Sequence, residues 1–408
     1  MKSFEEIRIE NRRELLDRID YTRDISDNEI MELIDERVLK AGREYGLTLQ
    51  QKSRLRKELF ASIRQLDVLE EFLSDNTVTE IMVNGPDHIF IEKEGRLEEQ
   101  NVHFESKEKL SDVIQQIVAK VNRIVNESSP IVDARLSGGA RVNVVMPPVA
   151  LNGPILTIRR FPDRPMSAED LFQNHSVTRE VMEFLQSLIK ARFNIFISGG
   201  TGSGKTTFLN ILSNYIPKEE RIITIEDNAE LQILNIPNIV RMETRNANVE
   251  GCKAVSIRDL IKTALRMRPD RIIVGEVRSE EAIDLLMAMN TGHDGSLSTG
   301  HANSAKDMLI RLETMVLMGM EMPLDAIRRQ IASAVDIIVH LGRLRDHSRK
   351  VLEIVEVTGY VDGEITLSPL YTFVENGSNE KGQIQGSFER KEALTHREKL
   401  KSAGIELV

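Results

Sequence analysis

Residues 199–206 read Gly199-Gly200-Thr201-Gly202-Ser203-Gly204-Lys205-Thr206, and the reading of this stretch decides the fold. It fits the pattern G-x-x-x-x-G-K-[ST]. The glycines let successive backbone N–H groups converge on phosphate oxygens with no Cβ in the way, and the lysine sets a point charge on the β/γ oxygens. The residues expected to hold the phosphates are Gly200, Thr201, Gly202, Ser203, Gly204, Lys205, Thr206 and Thr207, and Thr206 also offers its hydroxyl to Mg²⁺. Before the loop, FNIFIS (193–198) reads as a buried strand. After it, KTTFLNILSNYI (205–216) reads as a helix whose positive N-terminal end faces the anion. The ligands expected are the phosphates of a nucleotide and Mg²⁺.

Working outward, RIITI (221–225) and RIIV (271–274) are further short apolar runs, separated by stretches of which several are helical. That alternation suits a parallel α/β sheet. Each run leads into an acid: Glu226, with Asp227 behind it, and Glu276 after Gly275. Ligands of open α/β sheets bind outside the carboxyl ends of the strands. Both glutamates are therefore expected at the edge that carries the phosphate loop. One would hold Mg²⁺ through water and the other would orient or deprotonate the attacking water.

Thr291–Asn303 is dense in small and polar residues and reads as a thin strand ending at His301, again at that edge. A histidine there can sense the γ-phosphate or relay a proton. His293 reads as structural or solvent-facing, and the spacing H-x₇-H matches no compact metal site. Arg135, Arg141, Arg159 and Arg160 are candidate phosphate-contacting arginines from an earlier domain, and Arg278 is a candidate to serve a neighbouring subunit. Cys252, with no histidine nearby in sequence, reads as an inert thiol; the methionines Met315, Met318, Met320 and Met322 read as core or interface filler.

Three segments are expected. Residues 1–66 are charged and helical, with a short apolar stripe at Leu33, Ile34, Val38 and Leu39. Residues 67–165 form a small α+β domain: a short helix (Val68–Phe72), strand-like VTEIMVNG, a hairpin at Gly95, and a helix carrying Leu110, Val113, Ile114, Ile117, Val118, Val121, Ile124 and Val125. Residues 166–408 hold the phosphate loop and a C-terminal extension, in which VLEIVEVTGY is strand-like and the last twenty residues read as a mixed-charge helix. Ser256 and Asp259 signal a capped helix over Ile257–Met267, stopped by Pro269.

The 408 residues carry 54 Lys+Arg and 64 Asp+Glu, a net charge of −10. The acidic balance and the absence of Trp argue against a nucleic-acid platform, so no nucleic-acid partner is expected. The charged N-terminus has no apolar signal-peptide core, and no run approaches the roughly 18 apolar residues of a membrane span. The lone cysteine excludes internal disulfides and suits a cytoplasmic protein.

Taken together, GGTGSGKTT, TIEDNAEL, ALRMRPDRIIVGEVR and AMNTGHDGSLSTGHANS, in that order, resemble the phosphate loop, Asp box, Walker B segment and His box of the type II/type IV secretion-system and pilus motor ATPases. LTIRRF, RLETMVLMGMEMP, IRRQIASAVDIIVHL and VLEIVEVTGY are similar to the Tad-pilus, CpaF-like branch. The resemblance spans roughly Asp67–Tyr360. It implies a RecA-like P-loop core after a small PAS-like α+β domain, a homo-hexameric ring, and Mg²⁺-dependent ATP hydrolysis that drives pilin assembly or retraction. It also implies docking on inner-membrane platform proteins at the cytoplasmic face, with peripheral membrane association. By position, Lys205 and Thr206 match the phosphate and magnesium binders, Glu226 the Asp-box acid, Glu276 the Walker B acid beside the metal, and His301 the His-box histidine. Arg141 and Arg159 lie on strands like those that supply phosphate-contacting arginines. Gly275 stands where a Walker B segment usually has Asp, and no four-cysteine zinc module is present. Other readings of a RecA-like chain are a nucleic-acid translocase and an ATP-gated scaffold without turnover.

Overall fold

Three helices open the chain, α1 (Phe4–Leu16), α2 (Asp27–Glu44) and α3 (Leu49–Arg64), and each starts at a reciprocal capping box: Ser3 with Glu6, Ser26 with Glu29, Thr48 with Gln51. Each box satisfies two backbone N–H groups that a helix start leaves open. Ile7, Leu15, Ile30, Ile34, Val38, Leu55 and Leu59 close a small core of their own among these helices. The computed structural model describes residues 2–19, 25–93, 95–121, 123–136, 139–160, 164–245, 253–380 and 382–406; Cys252 lies outside the described residues. The chain divides into two units, Met1–Asp163 and Arg164–Val408.

In the first unit, α4 (Leu69–Ser74) leads into β1 (Val78–Asn84), β2 (Ile89–Lys93), β3 (Arg96–Gln100), α5 (Lys107–Ala119), β4 (Ile131–Arg135), β5 (Arg141–Val145) and β6 (Ile155–Arg159). The strands pair in the order β3-β2-β1-β6-β5-β4, antiparallel throughout. The apolar stripe Leu110, Val113, Ile114, Ile117 and Val118 of α5 shares one core with Ile81, Val83, Val142, Leu156 and Ile158 of the sheet. The helix stops at Ala119, short of the Val125 that its spacing suggested. Val125 still joins this core, and its carbonyl accepts a hydrogen bond from Gln115 Nε2 at 2.9 Å.

The second unit runs α6 (Ala168–Gln173), α7 (Arg179–Lys190), β7 (Ile195–Gly199), α8 (Lys205–Ser213), β8 (Ile222–Glu226), β9 (Ile239–Glu243), α9 (Ile257–Ala264), β10 (Arg271–Val274), α10 (Glu281–Met289), β11 (Leu297–His301), α11 (Ala305–Gly319), α12 (Leu324–Ala334), β12 (Ile337–Arg343), β13 (Arg349–Val361), β14 (Glu364–Ser378), β15 (Ile384–Arg390) and α13 (Glu398–Ser402). Its nine-stranded sheet has the order β15-β14-β13-β12-β7-β11-β10-β8-β9. From β12 to β9 neighbouring strands are parallel, and β13, β14 and β15 extend the sheet antiparallel. Ile195 and Ile197 point into one core and Phe196 into the other, as expected of strands buried on both faces.

Three expectations shift. α9 has the Ser256–Asp259 capping box but ends at Ala264, with Met267 closing a last turn onto the Ala264 carbonyl. The C-terminal twenty residues are not one helix: β15 runs to Arg390, and among the described residues beyond it only Glu398–Ser402 is helical. Tertiary contacts override helical propensity there. Buried Glu356 accepts the Thr395 and His396 N–H groups at 2.7 Å each, Leu394 and Leu400 are buried, and Lys399 reaches Asp294 and Asp336. Of the methionines, Met315 is core, while Met318 and Met320 are exposed. No described helix is long and apolar enough to cross a membrane.

Candidate functional site

The loop between β7 and α8 leaves the sheet at the carboxyl ends of the parallel strands. Gly204 caps α8 at φ +93°, a left-handed conformation that L side chains rarely adopt, and no side chain caps that end. The first N–H groups of α8 are therefore left to a ligand, as an anion site requires. Ser203 Oγ donates to the Gly200 carbonyl at 2.9 Å, which braces the loop from inside. From outside, Arg349 at the start of β13 donates through Nε to the Gly202 carbonyl at 2.8 Å. Sequence reasoning missed Arg349, because its approach depends on the β12–β13 hairpin lying beside β7. Thr206 and Thr207 lie in the first turn of α8.

Lys205 is buried, and its Nζ donates to the Gly200 carbonyl at 2.9 Å and stands 3.1 Å from His301 Nδ1. Burial lowers the ammonium below the usual lysine range, and Arg278 adds to this while Glu276 opposes it. An acceptor at Nδ1 keeps the imidazole proton on Nε2. That nitrogen lies 2.9 Å from Glu276 Oε1. The contact is close but poorly aligned as a hydrogen bond, and Glu276 Oε1 is buried with no hydrogen-bond partner among the described residues. Glu276 Oε2 accepts from Arg278 Nη2 at 2.7 Å, and Arg278 Nη1 lies 3.5 Å from Asp227 Oδ2. The hydrogen bond to Glu276 holds Arg278 above its ordinary range. Burial holds His301 below its own, with Glu276 opposing.

The strand carrying His301 also positions Glu276. Thr299 Oγ1 donates to the Gly275 carbonyl at 2.8 Å, the Val277 N–H donates to the Thr299 carbonyl at 2.9 Å, and Ser298 Oγ donates to the Val274 carbonyl at 2.9 Å. At Gly300 of the same strand a Cβ would stand 2.5 Å from Met308 Cε of α11.

Glu226 ends β8 as expected but is engaged elsewhere. It is 3% exposed, and its Oε2 accepts the backbone N–H groups of Glu230 at 2.7 Å and Leu231 at 3.0 Å. Burial pushes its carboxyl up to about 7, against the lowering effect of those two bonds. A Cβ on Gly275 would come within 2.9 Å of Glu226 Cγ, so the glutamate side chain takes the room that an aspartate at 275 would need. In strand order, β11 alone separates β10 from β7, whereas β8 lies one strand further out.

The remaining candidates fall into place individually. His293 precedes β11, at the opposite edge of the sheet, with Nδ1 3.3 Å from the Ala288 carbonyl. In the first unit, Glu80, Arg159, Arg141 and Arg135 are successive register partners across β1, β6, β5 and β4. Arg159 is 3.6 Å from Glu80, Arg135 Nε donates to the Gly139 carbonyl at 3.0 Å, and Arg160 bonds to Asp75, Asn76 and Val78. No cluster of three His, Cys, Asp or Glu side chains suited to a metal occurs among the described residues.

The chain is similar to known proteins over most of its length. Residues 63–400 match the family described as Type II/IV secretion system protein. The chain is 35% identical over 293 residues to the conjugal transfer protein TrbB of Rhizobium radiobacter, covering 71% of this chain and 86% of that one. It is 32% identical over 303 residues to the type IV secretion system protein VirB11 of Brucella suis, covering 68% and 84%. The X-ray structure of the Yersinia pseudotuberculosis ATPase DotB shares the fold at 19% identity and a TM-score of 0.54, over 72% of this chain and 79% of that one.

Proposed function

Because the chain belongs to the Type II/IV secretion system protein family, we propose that it is the ATP-hydrolysing motor of a secretion or pilus apparatus. The observation that carries this reading is the contact chain Lys205–His301–Glu276 beside the phosphate loop, ending in a buried carboxylate oxygen with no hydrogen-bond partner. A cradle of open N–H groups and a lysine suits a triphosphate, and a carboxylate held one imidazole away suits a group that accepts a proton from attacking water.

Within the proposal, residues Gly200 to Thr207 hold the phosphates and Glu276 is the hydrolytic carboxylate. His301 is poised to report the γ-phosphate, because it already touches the lysine that must leave it for the ligand. Glu226 shapes the 226–231 turn and acts on catalysis only through it. The donor set fits Mg²⁺, which favours one or two carboxylates plus substrate phosphates over an all-protein cage. Thr206 and Glu276 would hold it, and when bound it would neutralise phosphate charge. Arg141 and Arg159 are proposed phosphate-contacting arginines. The proposal extends to a homo-hexameric ring of the Tad-pilus type, docked at the inner face of the membrane on platform components.

The test is steady-state phosphate release from ATP. Wild-type turnover that collapses in Glu276→Gln while nucleotide still binds supports the motor. Normal turnover in that variant overturns it, and ATP binding without phosphate release by the wild type favours a scaffold.

A further inference from the structure

The hairpin of β12 and β13 rises beside the phosphate loop. Leu341 of β12 is the register partner of Gly199, the last residue of β7, and β12 runs on to Arg343, which pairs with Arg349 at the start of β13. The hairpin tip is braced. The Leu344 N–H donates to the Ser348 carbonyl at 2.8 Å, the Ser348 N–H to Asp346 Oδ1 at 3.0 Å, and the Ile384 N–H of β15 to Asp346 Oδ2 at 2.7 Å. Arg349 thus stands on a fixed base, and its Nε donates to the Gly202 carbonyl at 2.8 Å. Its stem follows the loop as well: a Cβ on Gly204 would lie 3.6 Å from Arg349 Cδ. The residue is exposed, so burial does not dictate where the guanidinium lies.

The carbonyl that Arg349 holds sets the direction of an amide. A trans peptide points its C=O and N–H to opposite sides, so a Gly202 carbonyl turned outward to Arg349 aims the Ser203 N–H into the loop. There it meets the Gly200 carbonyl at 3.4 Å, longer than a usual N–H···O bond. The same carbonyl oxygen takes Ser203 Oγ and Lys205 Nζ at 2.9 Å each. A weakly engaged amide therefore points where two further donors converge, as an anion requires. Gly202 itself is left-handed, at φ +71°. Glycine leaves that conformation at little cost, so without an outer anchor this peptide is free to turn.

We propose that Arg349 is a positioning residue for phosphate binding: its bond to the Gly202 carbonyl keeps the Ser203 N–H turned toward the anion. The inference rests on the reading of the loop as a phosphate cradle given above. An amide held in place beforehand spares the ligand the cost of ordering it. The loop amides meet the phosphates before and during reaction alike, so the effect falls on affinity rather than on turnover.

Two substitutions separate the hydrogen bond from the charge. Arg349→Gln sets its amide nitrogen at the Nε position, so the donor stays and the charge goes. Arg349→Met has the same reach, ends in a methyl group and removes both. Because the residue is exposed, both variants are expected to unfold at the wild-type denaturant midpoint. The affinities compared are those for ADP and for inorganic pyrophosphate, each with Mg²⁺. Expected is a fall of about fivefold or more for both ligands in Arg349→Met, against affinities within about twofold of wild type in Arg349→Gln. At saturating ATP, kcat stays within about threefold in each. Equal losses in the two variants would make the guanidinium charge the cause and overturn the role. So would an unaffected Arg349→Met, a loss for ADP with pyrophosphate unchanged, a fall confined to kcat, or a midpoint lowered in Arg349→Met alone. Wild-type binding keeps the two readings apart. A wild type that binds neither ligand sinks the phosphate cradle and the role with it, whereas one that binds both without the Met/Gln split sinks only the role of Arg349.

Discussion

β8 and β10 are neighbours in one sheet, both are buried along their length, and each leads into a glutamate, yet their carboxylates meet different partners. Glu276 is held by Arg278 on one oxygen and offers the other, unsatisfied, beside His301. Glu226 turns one oxygen onto two backbone N–H groups of its own loop. What differs is distance from β7 in the strand order, about 10 Å for β10 and about 14 Å for β8 at the usual strand spacing. His301 on the intervening strand bridges the first gap. Equivalent sequence signatures therefore diverge in their contacts through sheet topology.

Substitutions can break this comparison at several levels. The largest effect is expected from Glu276→Gln: a fall in kcat of about 10²- to 10⁴-fold with nucleotide binding retained, read by phosphate release and by fluorescent ADP titration. Lys205→Ala follows, with about 10²- to 10³-fold lost from turnover through the missing charge at the phosphates. Gly275→Ala is smaller. Its new Cβ crowds Glu226 Cγ at 2.9 Å, so a stability loss of about 1–3 kcal/mol is expected in denaturant unfolding. The double variant Gly275→Ala/Glu226→Ala should recover part of that loss, and strict additivity would mean the two side chains do not compete for this space.

The smallest effect on activity belongs to Glu226→Gln, with kcat expected within about threefold of wild type. Its signature lies in stability against pH. The carboxyl rises from 4.5 to about 7 on folding, so the native state holds a proton that the unfolded chain has released. That contribution is fully present below about pH 4.5 and is lost as pH rises through about 7, a change on the order of 3 kcal/mol. Glu226→Gln removes this slope from denaturant midpoints measured across that range; an unchanged slope would show that the carboxyl is not the group responsible.

Much of this was legible in the residues. Loop glycines, the lysine and the acids after apolar runs follow local rules, and β7, β8, β10 and the thin β11 stand where their patterns put them. The order of the strands was not legible, since it depends on which buried run packs against which, and it is this order that separates Glu276 from Glu226. Arg349 escaped notice for the same reason: it reaches the loop through the β12–β13 pairing, far away in sequence. The C-terminal strands were under-read because β14 and β15 expose many of their residues, and strands so exposed lack a strong apolar alternation.

A structure of the chain with Mg²⁺ and a non-hydrolysable ATP analogue tests the central claim most directly, through the distance from each glutamate carboxylate to the γ-phosphate. The account predicts Glu276 within one water molecule of that phosphate, with Glu226 still bonded to the Glu230 and Leu231 amides. Glu226 released from those amides and facing the γ-phosphate, with Glu276 turned away, would contradict it.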